Sequence, residues 1–148
     1  AMSTMELTDE LRQKLEAEAR TAAAKAYCPY SNFHVGAAIL AGGKIFTGAN
    51  VENASYGLTI CAERTAAFAA VLAGHQDFHA VAVCCADVSP EQALTEPESL
   101  MPCGACRQLL AEFSNENTVF LVAQAGSYRF NELMPHPFQL RKMPKSQD

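Results

Sequence analysis

The sequence lacks an excess of positive charge, a long apolar run and a high content of charged residues. Lysine and arginine number 11 against 16 aspartates and glutamates, which gives a net charge of −5. Proteins that bind nucleic acid usually carry a basic patch or stripe, so this balance predicts no nucleic-acid partner. No stretch approaches the roughly 18 consecutive apolar residues of a transmembrane helix, which predicts no membrane partner.

The sequence predicts neither a secretory leader nor a disulfide framework. The chain holds six cysteines, but residues 5–10 (Met-Glu-Leu-Thr-Asp-Glu) are acidic and polar, unlike the start of a signal peptide. We therefore expect a cytoplasmic protein. In that reducing compartment, cysteines spaced Cys-x-x-Cys bind metal or take part in redox chemistry and rarely form structural cross-links.

What the chain does contain is enough apolar material for one core. Hydrophobic residues make up 49% of the 148 residues and charged residues 18%, a balance that excludes a disordered chain. We predict a single domain over residues 8–140, with flexible termini at residues 1–7 and 141–148. The low charged fraction also indicates that some surface is buried against a partner, such as another copy of the chain.

Hydrophobic periodicity and turn residues predict an α/β fold. The expected elements are helices at 8–26, 61–73 and 103–113, strands at 34–40, 44–51, 79–86, 118–124 and 128–130, a surface loop at 87–101 and one helical turn at 131–134. Strand-helix-strand units imply parallel neighbours, whereas short turns imply antiparallel hairpins. The prediction is a mixed five-stranded sheet flanked by helices, in which a three-residue turn makes the last two strands antiparallel.

Three cysteines lie where two helices are predicted to begin. Cys61 precedes one helix, and Cys103 and Cys106 are spaced so that both can face one ion from a single helical turn. The partial positive charge of a helix N-terminus favours thiolate, the form that binds metal. Three protein ligands with a fourth position open to water are typical of catalytic zinc, since structural zinc usually has four protein ligands.

Two charged neighbours of Cys61 suggest how such a site would work. Glu63 is placed to hold the metal-bound water and move its proton, and Arg64 to donate to a thiolate sulfur. A lone Cys-x-x-Cys is more often a redox pair or part of a structural zinc site. A thioredoxin-like site would leave Cys61 and Glu63 without a role, so the two motifs together favour catalytic zinc. The other cysteines are expected to be buried structural thiols: Cys28, Cys84 and Cys85.

These motifs resemble those of the zinc-dependent nucleobase deaminases. Matches over about residues 27–140 resemble one branch, the small homotetrameric cytidine deaminases: Cys-Pro-Tyr-Ser-Asn-Phe at 28–33, Val-Gly-Ala-Ala at 35–38, Gly-Ala-Asn-Val-Glu-Asn-Ala at 48–54, Cys-Ala-Glu-Arg-Thr-Ala at 61–66 and Pro-Cys-Gly-Ala-Cys-Arg-Gln at 102–108. The resemblance implies a three-layer cytidine deaminase-like fold and one Zn²⁺ per subunit. It also implies a homotetramer whose sites are shared between subunits.

Candidate substrate-binding residues lie around these motifs. Asn50 and Glu52 are two apart in an extended segment, so their side chains can project from one face. Taken alone the pair is more simply a turn residue and a solvated acid, whereas the resemblance implies that it binds ribose. The resemblance further implies that Phe33 flanks the pyrimidine, that backbone groups of Ala62 contact the base, and that Phe138 enters a neighbouring subunit's site. Ordinary packing remains the alternative for both phenylalanines.

The predicted function is hydrolytic deamination of free cytidine and deoxycytidine to uridine and deoxyuridine plus ammonia, in pyrimidine salvage. The resemblance implies that zinc-bound hydroxide attacks C4 while Glu63 shuttles the proton. The net negative charge and the acidic Glu52 favour a neutral nucleoside over a phosphorylated substrate. Two alternatives stay open: a deaminase of a related aminonucleoside such as blasticidin S, and a zinc-stabilised nucleoside-binding module without turnover.

Overall fold

The structure, a computed structural model that describes residues 7–144, contains one five-stranded sheet with helices on both faces. Its helices are α1 (Asp9–Ala23), α2 (Ala62–Leu72), α3 (Pro90–Thr95), α4 (Gly104–Ala111) and α5 (Phe130–Leu133). Its strands are β1 (Val35–Ala41), β2 (Lys44–Ala49), β3 (Phe78–Cys85), β4 (Val119–Val122) and β5 (Gly126–Arg129). Single turns of 3₁₀ helix lie at Tyr56–Leu58 and Pro97–Leu100.

The strand order β2-β1-β3-β4-β5 makes the sheet mixed. Strands β3 and β4 are parallel, and the other neighbouring pairs are antiparallel. Between β1 and β2, Gly42 and Gly43 both have positive φ, which a two-residue hairpin of this twist requires. Between β4 and β5 the turn is three residues long, with Gln124 at a φ of 69°. The predicted fold class is confirmed, including the antiparallel last pair.

Alternating side chains divide the core between the two faces of the sheet. On one face α1 packs through Leu15 and Ala19 against a buried set made of Ala38, Leu40, Ala80, Ala82, Cys84 and Leu121. On the opposite face α2 and α4 pack against a set that includes Ile39, Val81, Phe120 and Val122. The result is three layers, with the sheet in the middle and the starts of α2 and α4 on one side of it.

The connection through α2 does not join neighbouring strands, which corrects one prediction. Strand β1 lies between β2 and β3 and pairs antiparallel with each, so β2 and β3 run in the same direction without touching. Only the unit β3-α4-β4 gives parallel neighbours. The hairpin explains the difference, because β1 fills the position beside β3 before the chain returns through α2.

Residues 87–101 were expected to form a surface loop, and this prediction is wrong. The segment folds into α3 and a 3₁₀ turn, and it buries Ala93 and Leu100 in the core. The helix start is specified locally: Ser89 and Gln92 form a capping box around Pro90, the first helical residue. The Ser-Pro-x-Gln pattern was therefore a helix signal that the prolines obscured.

The ends of the chain and its longest helix bear on two further expectations. The predicted flexible termini lie largely in residues 1–6 and 145–148, outside the described residues. Helix α1 is capped by Thr8, whose Oγ1 accepts a 3.2 Å hydrogen bond from the amide of Leu11. Within residues 7–144 no helix has the length and apolar character needed to cross a membrane.

Candidate active site

The first part of the site is the start of α2. Cys61 is the residue before the helix and Ala62, fully buried, is its first residue. The preceding loop is held by Val51 and Ile60, whose backbones exchange two hydrogen bonds of 2.9 Å. This short antiparallel bridge returns the chain from the end of β2 to the edge of the sheet, so that Cys61 and Glu63 begin α2 beside the other thiols.

The second part is the start of α4. Cys103 directly precedes the helix, and Cys106 lies buried in its first turn. Arg107 fixes this start in two directions, since its Nε donates to the carbonyl of Pro102 at 2.8 Å and its Nη1 donates to the carbonyl of Leu133 at 2.6 Å. The turn that carries both thiols is thereby tied to the end of α5.

The three sulfurs meet at one point and fit a zinc ion. The Sγ atoms of Cys61, Cys103 and Cys106 all lie within 4.8 Å of one another, and those of Cys103 and Cys106 are 3.5 Å apart. Tetrahedral zinc with bonds of about 2.3 Å would place its sulfur ligands about 3.8 Å apart. The spacing of the three sulfurs therefore fits three ligands of one tetrahedral zinc ion. The predicted cofactor is confirmed as one Zn²⁺ per subunit.

A hydrogen bond and a neighbouring positive charge stabilise the thiolate form of Cys61. Arg64 Nη2 lies 3.7 Å from the sulfur of Cys61 and also donates to the carbonyl of Thr59 at 3.2 Å. A hydrogen bond from the Cys106 thiol, followed by the Arg64 guanidinium, lowers the pKa of Cys61 to about 5 despite its burial. The same hydrogen bond and burial raise the pKa of Cys106. Arg64 thus lies where a donor to thiolate sulfur was predicted.

Glu63 is the buried acid of the site. Its side chain lines the same cleft as Cys61 and Cys103, and the residue is only 5% exposed. Burial raises the pKa of the Glu63 carboxyl, and negative charge at Cys61 adds to the effect. A raised pKa brings a carboxyl group closer to the range in which it can both accept and release a proton, as general acid-base chemistry requires.

A cleft of about 440 Å³ opens over these groups. It brings together the sequence-predicted residues Phe33, Asn50, Glu52, Ala62, Glu63, Cys61 and Cys103. Phe138 is not among the lining residues; it is 69% exposed and lies in a separate depression, where its carbonyl accepts a 3.0 Å hydrogen bond from Gln108. Of the predicted substrate-binding residues, Phe138 alone lies away from the cleft of its own chain.

Asn50 and Glu52 are both buried, and both are already hydrogen-bonded to residues at the start of β1 or just before it. Asn50 accepts from the amide of Val35 at 2.9 Å and donates to the carbonyl of Phe33 at 2.8 Å. Glu52 accepts from the amides of Tyr30 and Ser31 at 3.0 and 3.1 Å, and from the Ser31 hydroxyl. The pair therefore shapes one wall of the cleft, in addition to any contact with a ligand.

The cleft is also lined by residues that were not predicted from the sequence to belong to the site. Cys85 lines it and is only half-buried, which corrects the expectation of a buried structural thiol; Cys28 and Cys84 are buried. The signal was the alternation along β3, because Cys85 faces the same side as Val83. Tyr56, Met101 and Ser31 are further lining residues, and they come from loops and a single 3₁₀ turn whose conformation no periodic pattern specifies.

Comparisons with known proteins agree with this geometry. A family model described as the cytidine and deoxycytidylate deaminase zinc-binding region matches residues 9–122. A cytidine deaminase of Halalkalibacterium halodurans is 44% identical over 137 residues, which cover 89% of this chain and 97% of that protein. A probable cytidine deaminase of Dictyostelium discoideum is 42% identical over 133 residues, covering 88% of this chain and 84% of the relative.

Solved structures give the same result. The crystal structure of cytidine deaminase from Mycobacterium tuberculosis superposes with a TM-score of 0.74 and 38% identity, over 90% of this chain and 99% of that one. The cytidine deaminase structure from Burkholderia pseudomallei gives a TM-score of 0.69 and 41% identity, over 85% and 98% of the two chains. Family model, relatives, fold and metal cluster agree. The chain belongs to the cytidine and deoxycytidylate deaminase family and is a zinc-dependent deaminase hydrolase.

Proposed function

We propose that the chain catalyses the hydrolytic deamination of free cytidine and deoxycytidine to uridine and deoxyuridine, with release of ammonia. The observation that carries the proposal is the meeting of a three-thiol metal site with the buried acid Glu63 in one cleft. The similar proteins named cytidine deaminases support cytidine as the substrate. Pyrimidine salvage in the cytoplasm is the physiological setting that this reaction suggests.

The protein groups around the metal site have separate roles in this mechanism. Zinc held by Cys61, Cys103 and Cys106 would supply a Lewis acid that lowers the pKa of water. Glu63 takes a proton from the attacking water and delivers it to N3 of cytosine as the oxygen bonds to C4. It then takes the proton of the new C4 hydroxyl group and delivers it to the amine, which leaves as ammonia while the C4 carbonyl forms. Its raised pKa suits both transfers. Arg64 offsets part of the thiolate charge, which would otherwise weaken the Lewis acid.

The walls of the cleft are proposed to hold the base. Ala62 opens α2 beside Glu63, so its backbone groups are proposed to bind the polar edge of the pyrimidine. Phe33 also lines the cleft and is partly exposed, as a ring that flanks a base requires. Both contacts would orient C4 of the base toward the metal.

The sugar is proposed to bind at Asn50 and Glu52. Each side chain keeps hydrogen-bonding capacity beyond its bonds within the protein, namely one N–H of the amide and one acceptor position of the carboxylate. Among the described residues that line the cleft there is no lysine or arginine, whereas Glu52 contributes negative charge. These features support a neutral nucleoside over a cytidylate.

A homotetramer is proposed because the chain leaves an apolar surface uncovered. Phe68 and Leu72 on α2, Leu109 on α4 and Phe113 just after it line an apolar groove, and Leu72 is 88% exposed. Tyr56 and Leu58 are exposed beside the cleft. In such an assembly we propose that Phe138 enters the cleft of a neighbouring subunit, since it does not reach its own.

The alternatives differ from the proposal in measurable ways. A deaminase of blasticidin S would act on that aminonucleoside and leave cytidine unchanged. A zinc-stabilised binding module would bind nucleosides without turnover, but a buried glutamate beside the metal site has no use in such a module. Glu63 therefore favours an enzyme.

The decisive experiment follows the cytidine absorbance band after the purified protein is added. Cytidine, deoxycytidine, cytidylate, adenosine and blasticidin S are assayed in parallel, with zinc quantified in each preparation. We expect turnover of the first two only. Glu63→Ala should lose at least about a hundredfold in turnover and keep its zinc, because the acid is not a ligand. Glu116→Ala, in an exposed loop, should match the wild type.

If the zinc-loaded wild type does not deaminate cytidine, the proposed substrate is refuted. Full activity of Glu63→Ala would refute the assigned role of the acid.

A further inference from the structure

The carboxylate of Glu52 is the centre of a hydrogen-bond network at the edge of the cleft. Its Oε1 accepts from the amides of Tyr30 and Ser31, and its Oε2 accepts from the Ser31 hydroxyl. A carboxylate has about four acceptor positions. Three are filled from one turn of the chain, and the position that remains is on Oε2, next to the Ser31 hydroxyl.

The Ser31 hydroxyl is itself bonded on both sides. It donates its single proton to Glu52 and accepts a 3.1 Å hydrogen bond from the amide of Phe33. Asn32, between them, has a φ of 57°, a left-handed conformation in which asparagine is better tolerated than most residues. The hydroxyl thus bridges a tight turn and fixes the carboxylate of Glu52 relative to Phe33.

The network continues to the other proposed sugar-binding residue. The carbonyl of Phe33 accepts from the side-chain amide of Asn50 at 2.8 Å, and the backbone of Glu52 donates to the carbonyl of Tyr27 at 2.8 Å. Ser31, Phe33, Asn50 and Glu52 all line the cleft. The Ser31 hydroxyl is the group that bonds directly to both the Glu52 carboxylate and the Phe33 amide, and Phe33 in turn bonds to Asn50.

We propose that Ser31 is a positioning residue for sugar recognition: its hydroxyl holds Oε2 of Glu52 so that one acceptor position faces the cleft and reads a single hydroxyl of the nucleoside. The inference rests on the proposed function, in which Glu52 accepts a hydrogen bond from the sugar. It adds Ser31 to the residues that recognise the sugar, and it limits the number of sugar hydroxyls that Glu52 recognises to one. One hydroxyl, and no second one, contributes binding free energy through Glu52.

The test is steady-state kinetics of Ser31→Ala and Ser31→Thr with four substrates: cytidine and its 2′-, 3′- and 5′-deoxy analogues. For cytidine we expect Ser31→Ala to raise KM about tenfold, the effect of losing one hydrogen bond to a charged group. We expect kcat to change less than about twofold, because the metal site and Glu63 are untouched. Ser31→Thr keeps the hydroxyl and should restore most of the affinity.

The deoxy analogues separate positioning from a merely structural role. One analogue lacks the hydroxyl that donates a hydrogen bond to Glu52, so its KM should be nearly the same in the wild type and in Ser31→Ala. For the other two analogues, Ser31→Ala should raise KM by the same factor as it does for cytidine. In a chain that already carries Glu52→Gln, the further change Ser31→Ala should leave KM for cytidine unchanged. Ser127→Ala, an exposed serine on β5, serves as the neutral control.

An equal loss for all four substrates, or an unchanged KM for cytidine, would overturn the proposal. Thermal midpoints identify a variant that fails to fold, in which case Ser31→Thr and Ser31→Gly provide the same comparison. If the wild type itself does not deaminate cytidine, the proposed function fails first. In that case, calorimetric binding of the four nucleosides to the zinc-loaded wild type and Ser31→Ala tests the positioning role separately.

Discussion

Gly48 lies on β2 where α2 crosses the sheet, and one added methyl group there should disturb both stability and metal binding. A Cβ at this position would lie 2.3 Å from the amide nitrogen of Ala66, 2.4 Å from Thr65 Oγ1 and 2.8 Å from the carbonyl of Ala62. Two of these atoms belong to the backbone of α2, so rotation of the Thr65 side chain alone cannot relieve the overlap. Ordinary contact begins at 3.4 Å, so Gly48→Ala must move α2 outward by about 1 Å.

The cost can be estimated from the groups that move. Overpacking a tightly packed contact destabilises by about 1–3 kcal/mol. Outward movement also lengthens the 2.8 Å hydrogen bond from Thr65 to the carbonyl of Ala49, a loss of about 1 kcal/mol. Together these predict a loss of about 3 kcal/mol in the free energy of unfolding. For a domain of this size the thermal midpoint should fall by roughly 10 °C.

Gly48→Ala should weaken zinc binding more than an ordinary packing defect would. Cys61 lies at the start of α2, whereas Cys103 and Cys106 belong to α4. Metal-ligand distances tolerate errors of only about 0.2 Å, so a shift of one ligand relative to the other two should weaken zinc retention. A displacement of about 1 Å at Glu63 should lower kcat about a hundredfold.

The assay measures zinc per chain after dialysis against a chelator, the thermal midpoint, and kcat for cytidine. Gly36→Ala is the matched control, because a Cβ there would lie 1.9 Å from the carbonyl of Ala19 in α1, on the opposite face of the sheet. Both variants should lose stability, but only Gly48→Ala should lose zinc. Equal zinc retention in Gly48→Ala and wild type would refute the reasoning.

Two further predictions concern pH and assembly. The Ser31 hydroxyl, followed by two backbone amides, holds the pKa of Glu52 below its ordinary value. The resulting stability is present above the unfolded-state pKa of about 4.3 and is lost as the pH falls through the lower folded-state pKa. The free energy of unfolding, measured with urea, should therefore fall less steeply between pH 6 and pH 3 in Glu52→Gln than in the wild type. Equal slopes for the two proteins would contradict this. Light scattering should give the mass of four chains for the wild type and a smaller mass for Leu72→Glu, with the exposed Leu94→Glu as control. A monomeric wild type would disprove the proposed tetramer.

Local signals in the sequence were sufficient for the five strands and for the candidate metal ligands. Alternating apolar residues and short Gly-containing turns specified the five strands, because each strand must bury at least one face. Cys103 and Cys106 could be paired from spacing alone, since three residues make nearly one helical turn. Their place at a helix start followed from the residues on either side.

Other features depended on contacts between distant segments, and no local pattern encodes them. The position of β1 between β2 and β3 was not predicted, because pairing depends on which edge is free when the chain returns. The burial of Ala93 and Leu100 was missed for a related reason: a proline-rich segment was judged by composition, whereas a capping box and a place in the core decided its fold.

By itself, the sequence determined which side chains could hold zinc, because ligand chemistry and helical spacing are local properties. Only the tertiary structure showed that Cys61 lies within 4.8 Å of the other two sulfurs, and that Cys85 lines the cleft. Only the tertiary structure also showed that Glu52 has most of its acceptor positions filled by the turn at Ser31. The physical reason is that hydrogen bonds and packing between distant segments depend on how the whole chain folds, and the capacity left for a ligand depends on those contacts.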